Sequence, residues 1–250
     1  MNLINTYKSL CTEFYDLDKP DAPEDAFSYY LNEAANSVKP VLEPMCGSGR
    51  FLIPMIQQGI DAEGTDASSE MLAGCANKCR DKNVKPVLYY QKIQDLKLFR
   101  KYGMVFIPSG SFGLITDENE VNESLKRIHE CLLPEGKFIA EIQTPYFPEK
   151  EEVISKREAV RNRFSKIVLT SKTRYDKDNN IETTDYLYES YINGLPDASE
   201  SETINVKHYS KSEFEKLLKS AGFKGIEALK PYTLQEAGNT EEMILFRCRA

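Results

Sequence analysis

Apolar and polar positions follow two different patterns along this chain. Between residues 39 and 143, short apolar runs alternate with longer stretches in which apolar residues recur every three or four positions. Short apolar runs are typical of buried strands, and the spacing of three or four is typical of helices. Together they predict strands at 41–42, 61–66, 86–90, 104–107 and 136–143, with helices at 49–58, 68–81 and 117–133. This alternation predicts a parallel sheet with helices on both faces.

The hydrophobic pattern is different before and after this region. Residues 7–37 look helical around a turn-like stretch at 18–23. After residue 143, two alternating stretches flank the polar residues 176–180, which is a hairpin signal. The stretches are 164–175 and 181–192, and 202–209 is a candidate third strand.

The last part of the chain again alternates helical and strand patterns, as residues 39–143 do. Ser210 and Glu213 form a capping box for a helix that ends at Gly222, and strands are predicted at 226–229 and 243–248. We therefore expect three parts. They are an N-terminal helical cap at 1–37, a core at 38–143 and 208–250, and a β-rich insertion at 144–207 that covers the substrate.

Composition narrows the classes of function. Of 250 residues, 41% are apolar and 28% charged, which is ordinary for a globular protein. The formal net charge of −7 argues against a general nucleic-acid binder. The sequence has no apolar run long enough to span a bilayer and no signal peptide at its start, so we expect a cytoplasmic protein without a membrane partner. A homodimer is left open.

The cysteines are spread along the chain and read as reduced thiols. Cys75 and Cys79 lie one turn apart on a predicted helix and are candidate ligands of a shared metal. Because both histidines, His129 and His208, lie far away in sequence, we expect buried thiols and no metal.

The most informative stretch is 42–51, with the sequence LEPMCGSGRF. It places Gly47 and Gly49 in the turn between the first strand and the first helix. Glycine lets a backbone approach a ligand closely, and a helix start presents unpaired N–H groups. Alone the signal is weak, since any tight strand-to-helix turn uses glycine.

Asp66 strengthens this signal, because it ends the second strand nineteen residues after Gly47. A carboxylate there accepts hydrogen bonds from ribose hydroxyls. The alternative is a helix cap. Leu52 stands where a dinucleotide-binding motif carries its third glycine. We therefore expect a ligand that contains a nucleoside but is not a dinucleotide.

Together these motifs resemble those of class I S-adenosylmethionine-dependent methyltransferases, of the small-molecule type. The resemblance covers 38–143 and 208–250 and includes 64–72, 106–112, 132–137 and 210–223. It implies a Rossmann-like, doubly wound α/β fold: a seven-stranded, mostly parallel sheet with an antiparallel last strand, here with a small antiparallel β insertion. It also implies S-adenosyl-L-methionine as cofactor and methyl transfer to a small-molecule acceptor, on nitrogen or oxygen.

The resemblance assigns roles to individual residues. Glu43 lies near the methionine amino group, Gly47 and Gly49 allow close backbone contact, and Asp66 holds the ribose. Tyr15, after Phe14 in the helical cap, reaches the cofactor or anchors its helix. The cofactor-binding residues that we expect are Tyr15, Glu43, Cys46, Gly47, Gly49, Arg50, Asp66, Ala67, Met71, Gln91, Ile93, Gln94, Pro108 and Ser109.

The chain departs from the family at two points. Many members place an acidic residue against the adenine amino group, and here that position falls near Lys92 or Ile93. The contact then passes to Gln94, to backbone groups or to Asp95. In addition, Met45 replaces a glycine that is common in the family.

Candidates for a general base are few. His208 and Tyr146 are the catalytic candidates, with a surface position as the alternative for His208. Glu141 at the end of the fifth strand points toward the expected site. An amine acceptor needs no dedicated base.

Two further features have competing interpretations. Tyr186 and Tyr188 share a strand face and either line an acceptor pocket or pack against the sheet. The basic stretch 156–166 is interpreted as a solvated helix face, the alternative being contact with an anionic substrate or RNA.

Two other functions remain as alternatives. A tRNA or protein methyltransferase is disfavoured by the acidic charge and by residues 107–110, which lack the Asn/Asp-Pro-Pro-aromatic motif. A non-catalytic cofactor-binding regulatory module is disfavoured by the intact glycine turn and Asp66.

Overall fold

The computed structural model describes residues 3–145, 148 and 150–250. Their strands form two separate sheets. In chain order the strands are β1 (Val41–Pro44), β2 (Ala62–Asp66), β3 (Val87–Tyr90), β4 (Tyr102–Ile107), β5 (Leu132–Gln143), β6 (Glu152–Asn162), β7 (Ser165–Asp176), β8 (Ile181–Ile192), β9 (Leu195–Lys207), β10 (Lys224–Leu229) and β11 (Met243–Arg249).

The larger sheet has seven strands in the order β10-β11-β5-β4-β1-β2-β3. Strands β1 to β5 run parallel within it, whereas β11 is antiparallel to both of its neighbours. The predicted seven-stranded sheet with an antiparallel last strand is confirmed. Strand β1 is buried throughout, because helices cover both faces of the sheet.

The helices are α1 (Ser9–Asp18), α2 (Glu24–Ala35), α3 (Leu52–Gln57), α4 (Ser69–Asp81), α5 (Glu118–Cys131) and α6 (Lys211–Ser220). The side chains of Ser68, Asp117 and Ser210 accept the backbone N–H three residues on and so begin the last three. Helix α3 begins at Leu52, later than the predicted residue 49. The preceding turn is not helical, and Pro54 needs no N–H partner in the first turn.

The smaller sheet is antiparallel, with the order β6-β7-β8-β9. The hairpin around 176–180 is confirmed, and the third predicted strand starts earlier, at Leu195. One face of this sheet packs on α1: Ile167, Leu169 and Tyr188 form a buried cluster with Cys11 and Phe14. Tyr188 therefore packs against the cap helix, and it neither lines the cavity at the ends of β1, β2 and β4 nor packs against the larger sheet as the two interpretations expected.

The prediction of a helix face at 156–166 is wrong, because these residues form β6 and its turn into β7. Arg157, Ala159 and Arg161 are spaced two residues apart, so their side chains lie on the same face of the strand. Ala159 is buried on this face against α1. Arg157 Nη1 lies 2.7 Å from Asp18 Oδ2, and Arg161 pairs with Glu13. These two arginines thus bind the cap helix to the sheet, which a helical interpretation of the stretch missed.

All six cysteines are buried free thiols. Among the described residues, no helix is long and apolar enough to cross a membrane.

Candidate cofactor and acceptor site

A cavity of about 350 Å³ opens where β1, β2 and β4 end. The carboxyl ends of parallel strands meet at one edge of a sheet, which is where such folds hold ligands. Every residue that the sequence predicted to bind the cofactor lines this cavity, except Gly49.

Asp66 ties the first turn to the start of α4. Its Oδ2 accepts a hydrogen bond from the backbone N of Gly47 at 2.8 Å, and its Oδ1 accepts one from Ser68 N at 2.8 Å. Burial raises the pKa of Asp66, and these N–H groups lower it. A carboxylate offers about four acceptor positions, so the capping bonds leave capacity for ligand hydroxyls.

Glu43 is a buried carboxylate whose Oε2 has no hydrogen-bond partner among the described residues. Burial raises its pKa well above the ordinary value, Asp66 raises it further, and Arg50 lowers it. An unpartnered buried acceptor is costly and rare in folded proteins. An ammonium group in the cavity would satisfy it, so the site fits an amino-acid ligand.

Arg50 places a positive charge beside Glu43. Its guanidinium lies 5.7 Å from the ring centroid of Tyr15 and donates a hydrogen bond of 3.1 Å to Ser109 Oγ. Its Nε is buried without a partner among the described residues. Glu43 and Arg50 therefore match the ammonium and carboxylate of a zwitterion.

The two glycines of the first turn have different surroundings. Gly47 has φ +54° and lines the cavity, with open space at its Cβ position up to Met71 Sδ at 3.7 Å. At Gly49 (φ +83°) a Cβ would lie 2.6 Å from Cys75 Sγ, so this glycine lets the turn pack on α4 and is not in the cavity wall. Met45, where the family commonly has glycine, also has a positive φ of +57°.

Two segments complete the wall without a signal in the sequence. Thr6 and Tyr7 come from the chain before α1, and Thr203 and Asn205 come from β9. Their positions are set by long-range packing. The hydroxyl of Ser68 donates a hydrogen bond of 2.8 Å to the carbonyl oxygen of Tyr7, which holds the N-terminal segment against α4.

Two of the polar residues considered for catalysis, His208 and Glu141, are not in the cavity wall. His208 is buried outside the cavity wall, with Nδ1 2.8 Å from the Thr144 carbonyl oxygen and Nε2 3.4 Å from Glu182 Oε2. Tyr146 lies outside the described residues. Glu141 is buried beneath the site, where it accepts hydrogen bonds from Tyr30 (2.7 Å) and Tyr232 (3.0 Å).

Comparison with known proteins agrees with this geometry. Residues 41–136 match a family described as a methyltransferase domain. The matched segment and the fold are both those expected of a class I S-adenosylmethionine-dependent methyltransferase. The chain is 24% identical to a provisionally named methyltransferase of Geobacillus sp. (strain WCH70), over 96% of this chain and 98% of the relative.

Solved structures share the fold of this chain. An S-adenosylmethionine-dependent methyltransferase from Clostridium acetobutylicum ATCC 824 superposes with a TM-score of 0.79 at 18% identity, covering 98% of this chain and 99% of the other. The sugar N-methyltransferase KedS8 from Streptoalloteichus sp. ATCC 53650 gives 0.75 at 16% identity, covering 93% and 91%.

Proposed function

We propose that this protein transfers a methyl group from S-adenosyl-L-methionine to a small-molecule acceptor, on nitrogen or oxygen. The observation that carries the proposal is the shared cavity wall of Glu43, with its unpartnered buried oxygen, and Asp66, held by Gly47 and Ser68. One end of that wall suits an ammonium group and the other suits ribose hydroxyls.

Each part of the cofactor has residues to hold it. Asp66 accepts from the ribose hydroxyls, Glu43 from the methionine ammonium, and Arg50 donates to the methionine carboxylate. Ala67 and Met71 line the cavity beside Asp66 and provide apolar contact for the base. When bound, the cofactor supplies an electrophilic methyl group on a sulfonium sulfur.

The acceptor side of the proposal depends on three parts of the chain: the helical cap at 1–37, the core, and the insertion at 144–207. Cap and insertion both contribute to the cavity wall, through Tyr7 and Tyr15 and through Thr203 and Asn205. This cover excludes water and orients the acceptor, and orientation supplies about 7–11 kcal/mol of such barriers.

A small acceptor fits the surroundings better than a macromolecule. The chain is acidic overall, and the structural neighbour KedS8 is described as a sugar N-methyltransferase. No histidine among the described residues lines the cavity. A neutral amine would attack the methyl carbon with its own lone pair while the carbon–sulfur bond breaks and S-adenosylhomocysteine leaves; the methylated ammonium would then lose its proton to water, so no dedicated base is needed.

The first experiment is isothermal titration calorimetry with S-adenosylhomocysteine on the wild type, Asp66→Ala and Asp176→Ala. Asp176 is a matched control, because its Oδ1 also accepts two backbone N–H groups, those of Asp178 (3.1 Å) and Asn179 (3.0 Å), in a hairpin outside the cavity wall. We expect Asp66→Ala to lose about 1–3 kcal/mol of binding free energy and Asp176→Ala to bind like the wild type. A wild type that does not bind would refute the proposal.

Turnover is tested with S-adenosylmethionine labelled in the methyl group and a panel of amines, phenols, carboxylates, tRNA and protein. Native mass spectrometry of the purified protein identifies any nucleoside or acceptor that copurifies. We expect labelled product from a small molecule. If only tRNA or protein became labelled, the acceptor would be a macromolecule and the proposed small-molecule acceptor would be wrong. If the protein bound the cofactor but transferred label to no acceptor, a non-catalytic regulatory module would be favoured.

A further inference from the structure

Two oppositely charged side chains face each other in the cavity wall beyond Asp66. Lys92 follows β3 and Glu120 lies in the first turn of α5, and both line the cavity. Lys92 Nζ is 3.6 Å from Glu120 Oε1, and the side chains are 30% and 44% exposed. The contact is long and partly solvated, so both groups are able to bind a ligand.

The order of strands places this pair relative to the rest of the site. Glu43 is on β1, Asp66 ends β2, and Lys92 follows β3, and these three strands are neighbours in that order. Adjacent strands lie about 4.8 Å apart. A ligand whose amino-acid part meets Glu43 and whose ribose meets Asp66 therefore has its base at the end of β3.

Another polar group at this end of the cavity is already engaged. Gln91 Oε1 accepts a hydrogen bond of 2.8 Å from Lys97 N, which closes the loop after β3. Asp95 does not line the cavity, whereas Gln94 does. Lys92 and Glu120 are thus the charged groups available to a base at this position.

We propose that Lys92 and Glu120 together recognise the edge of adenine, an inference that rests on the proposed function. Adenine presents an amino donor next to a ring-nitrogen acceptor. Glu120 accepts from the amino group, and the Lys92 ammonium donates to the neighbouring ring nitrogen. Hypoxanthine presents a carbonyl oxygen and an N–H at the same two places, so it opposes both contacts.

The test compares two ligands by calorimetry: S-adenosylhomocysteine and S-inosylhomocysteine, in which a carbonyl oxygen replaces the adenine amino group. The proteins are the wild type, Glu120→Ala, Lys92→Ala and Glu123→Ala. Glu123 is the matched control, since it lies on the same helix and pairs with Arg127 at 2.7 Å outside the cavity wall. Circular dichroism checks the fold of each variant.

We expect the wild type to prefer the adenosyl ligand by about tenfold or more, the scale of a charged hydrogen bond. Glu120→Ala and Lys92→Ala should each lower that preference to about threefold or less, while Glu123→Ala keeps it. If both cavity variants keep the wild-type preference, or if the wild type has none, the inference is overturned while the proposed function stands. If the wild type binds neither ligand, it is the proposed function that fails.

Discussion

The hydroxyl of Ser68 donates a hydrogen bond of 2.8 Å to the carbonyl oxygen of Tyr7 and accepts one of 3.0 Å from the backbone N of Met71. One side chain therefore caps α4 and holds the N-terminal segment over the cavity. Its own backbone N donates to Asp66 Oδ1. The cover of the site is thus connected to the carboxylate that we propose to bind ribose.

Comparing Ser68→Ala with a variant that loses only a helix cap separates these two roles. Ser68→Ala should lower the free energy of unfolding by about 1 kcal/mol through loss of the cap. It should also speed amide hydrogen exchange in residues 4–12 and weaken binding of S-adenosylhomocysteine. Ser210→Ala is the matched control, because Ser210 caps α6 by accepting from Glu213 N at 3.2 Å. An equal increase in exchange at residues 4–12 in both variants would contradict the second role.

Glu43→Gln should bind S-adenosylhomocysteine about 1.5–3 kcal/mol more weakly, the contribution of a hydrogen bond to a charged group. It should nevertheless raise the stability of the free protein at neutral pH, because it removes the charge of a buried carboxylate whose Oε2 has no hydrogen-bond partner among the described residues. Calorimetry and urea unfolding measure the two effects. Glu141→Gln is the comparison: that carboxylate accepts from Tyr30 and Tyr232, so its replacement should destabilise the protein.

The pKa of Glu43 sets the sign of its pH dependence. Burial raises this pKa above the ordinary value of 4.5, so at higher pH the folded protein keeps a proton that the unfolded chain releases. The contribution of Glu43 to stability is therefore most favourable below about pH 4.5 and declines as pH rises toward the folded pKa. The stability gain of Glu43→Gln over the wild type should grow from pH 5 to pH 8, and a constant gain would contradict this account.

Gly47→Ala should reduce binding of S-adenosylhomocysteine, because a Cβ at this position enters the cavity that the ligand occupies. A positive φ adds strain of about 1–2 kcal/mol for any residue with a Cβ. Gly59→Ala is the matched control for that strain, since Gly59 has φ +79° and no atom within 4 Å of its Cβ position. Both variants should lose similar stability, and equal ligand affinity in both would remove Gly47 from the site.

His208→Gln should lower stability and leave kcat nearly unchanged once the acceptor is known. His208 is buried where β9 leads into α6, its ring contacts Thr144 and Glu182, and it does not line the cavity. Loss of a buried hydrogen bond costs about 1–3 kcal/mol. A large fall in kcat at full stability would instead restore His208 as a catalytic candidate.

Local signals in the sequence were sufficient for much of the molecule. Alternating apolar runs and capping residues located the strands of the larger sheet, because a strand or helix buries its own apolar face wherever it lies. The turn at 42–51 and Asp66 located one wall of the cavity, because both are set by the ends of adjacent parallel strands.

The opposite wall of the cavity was decided by tertiary structure. Tyr7, Thr203 and Asn205 carry no local signal, and they meet because β9 lies against the start of α1, where Glu200 Oε1 accepts a hydrogen bond of 3.1 Å from Cys11 N. The same packing turned the basic stretch 156–166 into a strand that binds α1. Hydrophobic periodicity records which face of an element is buried, whereas the partner that buries it depends on contacts between residues far apart in the chain.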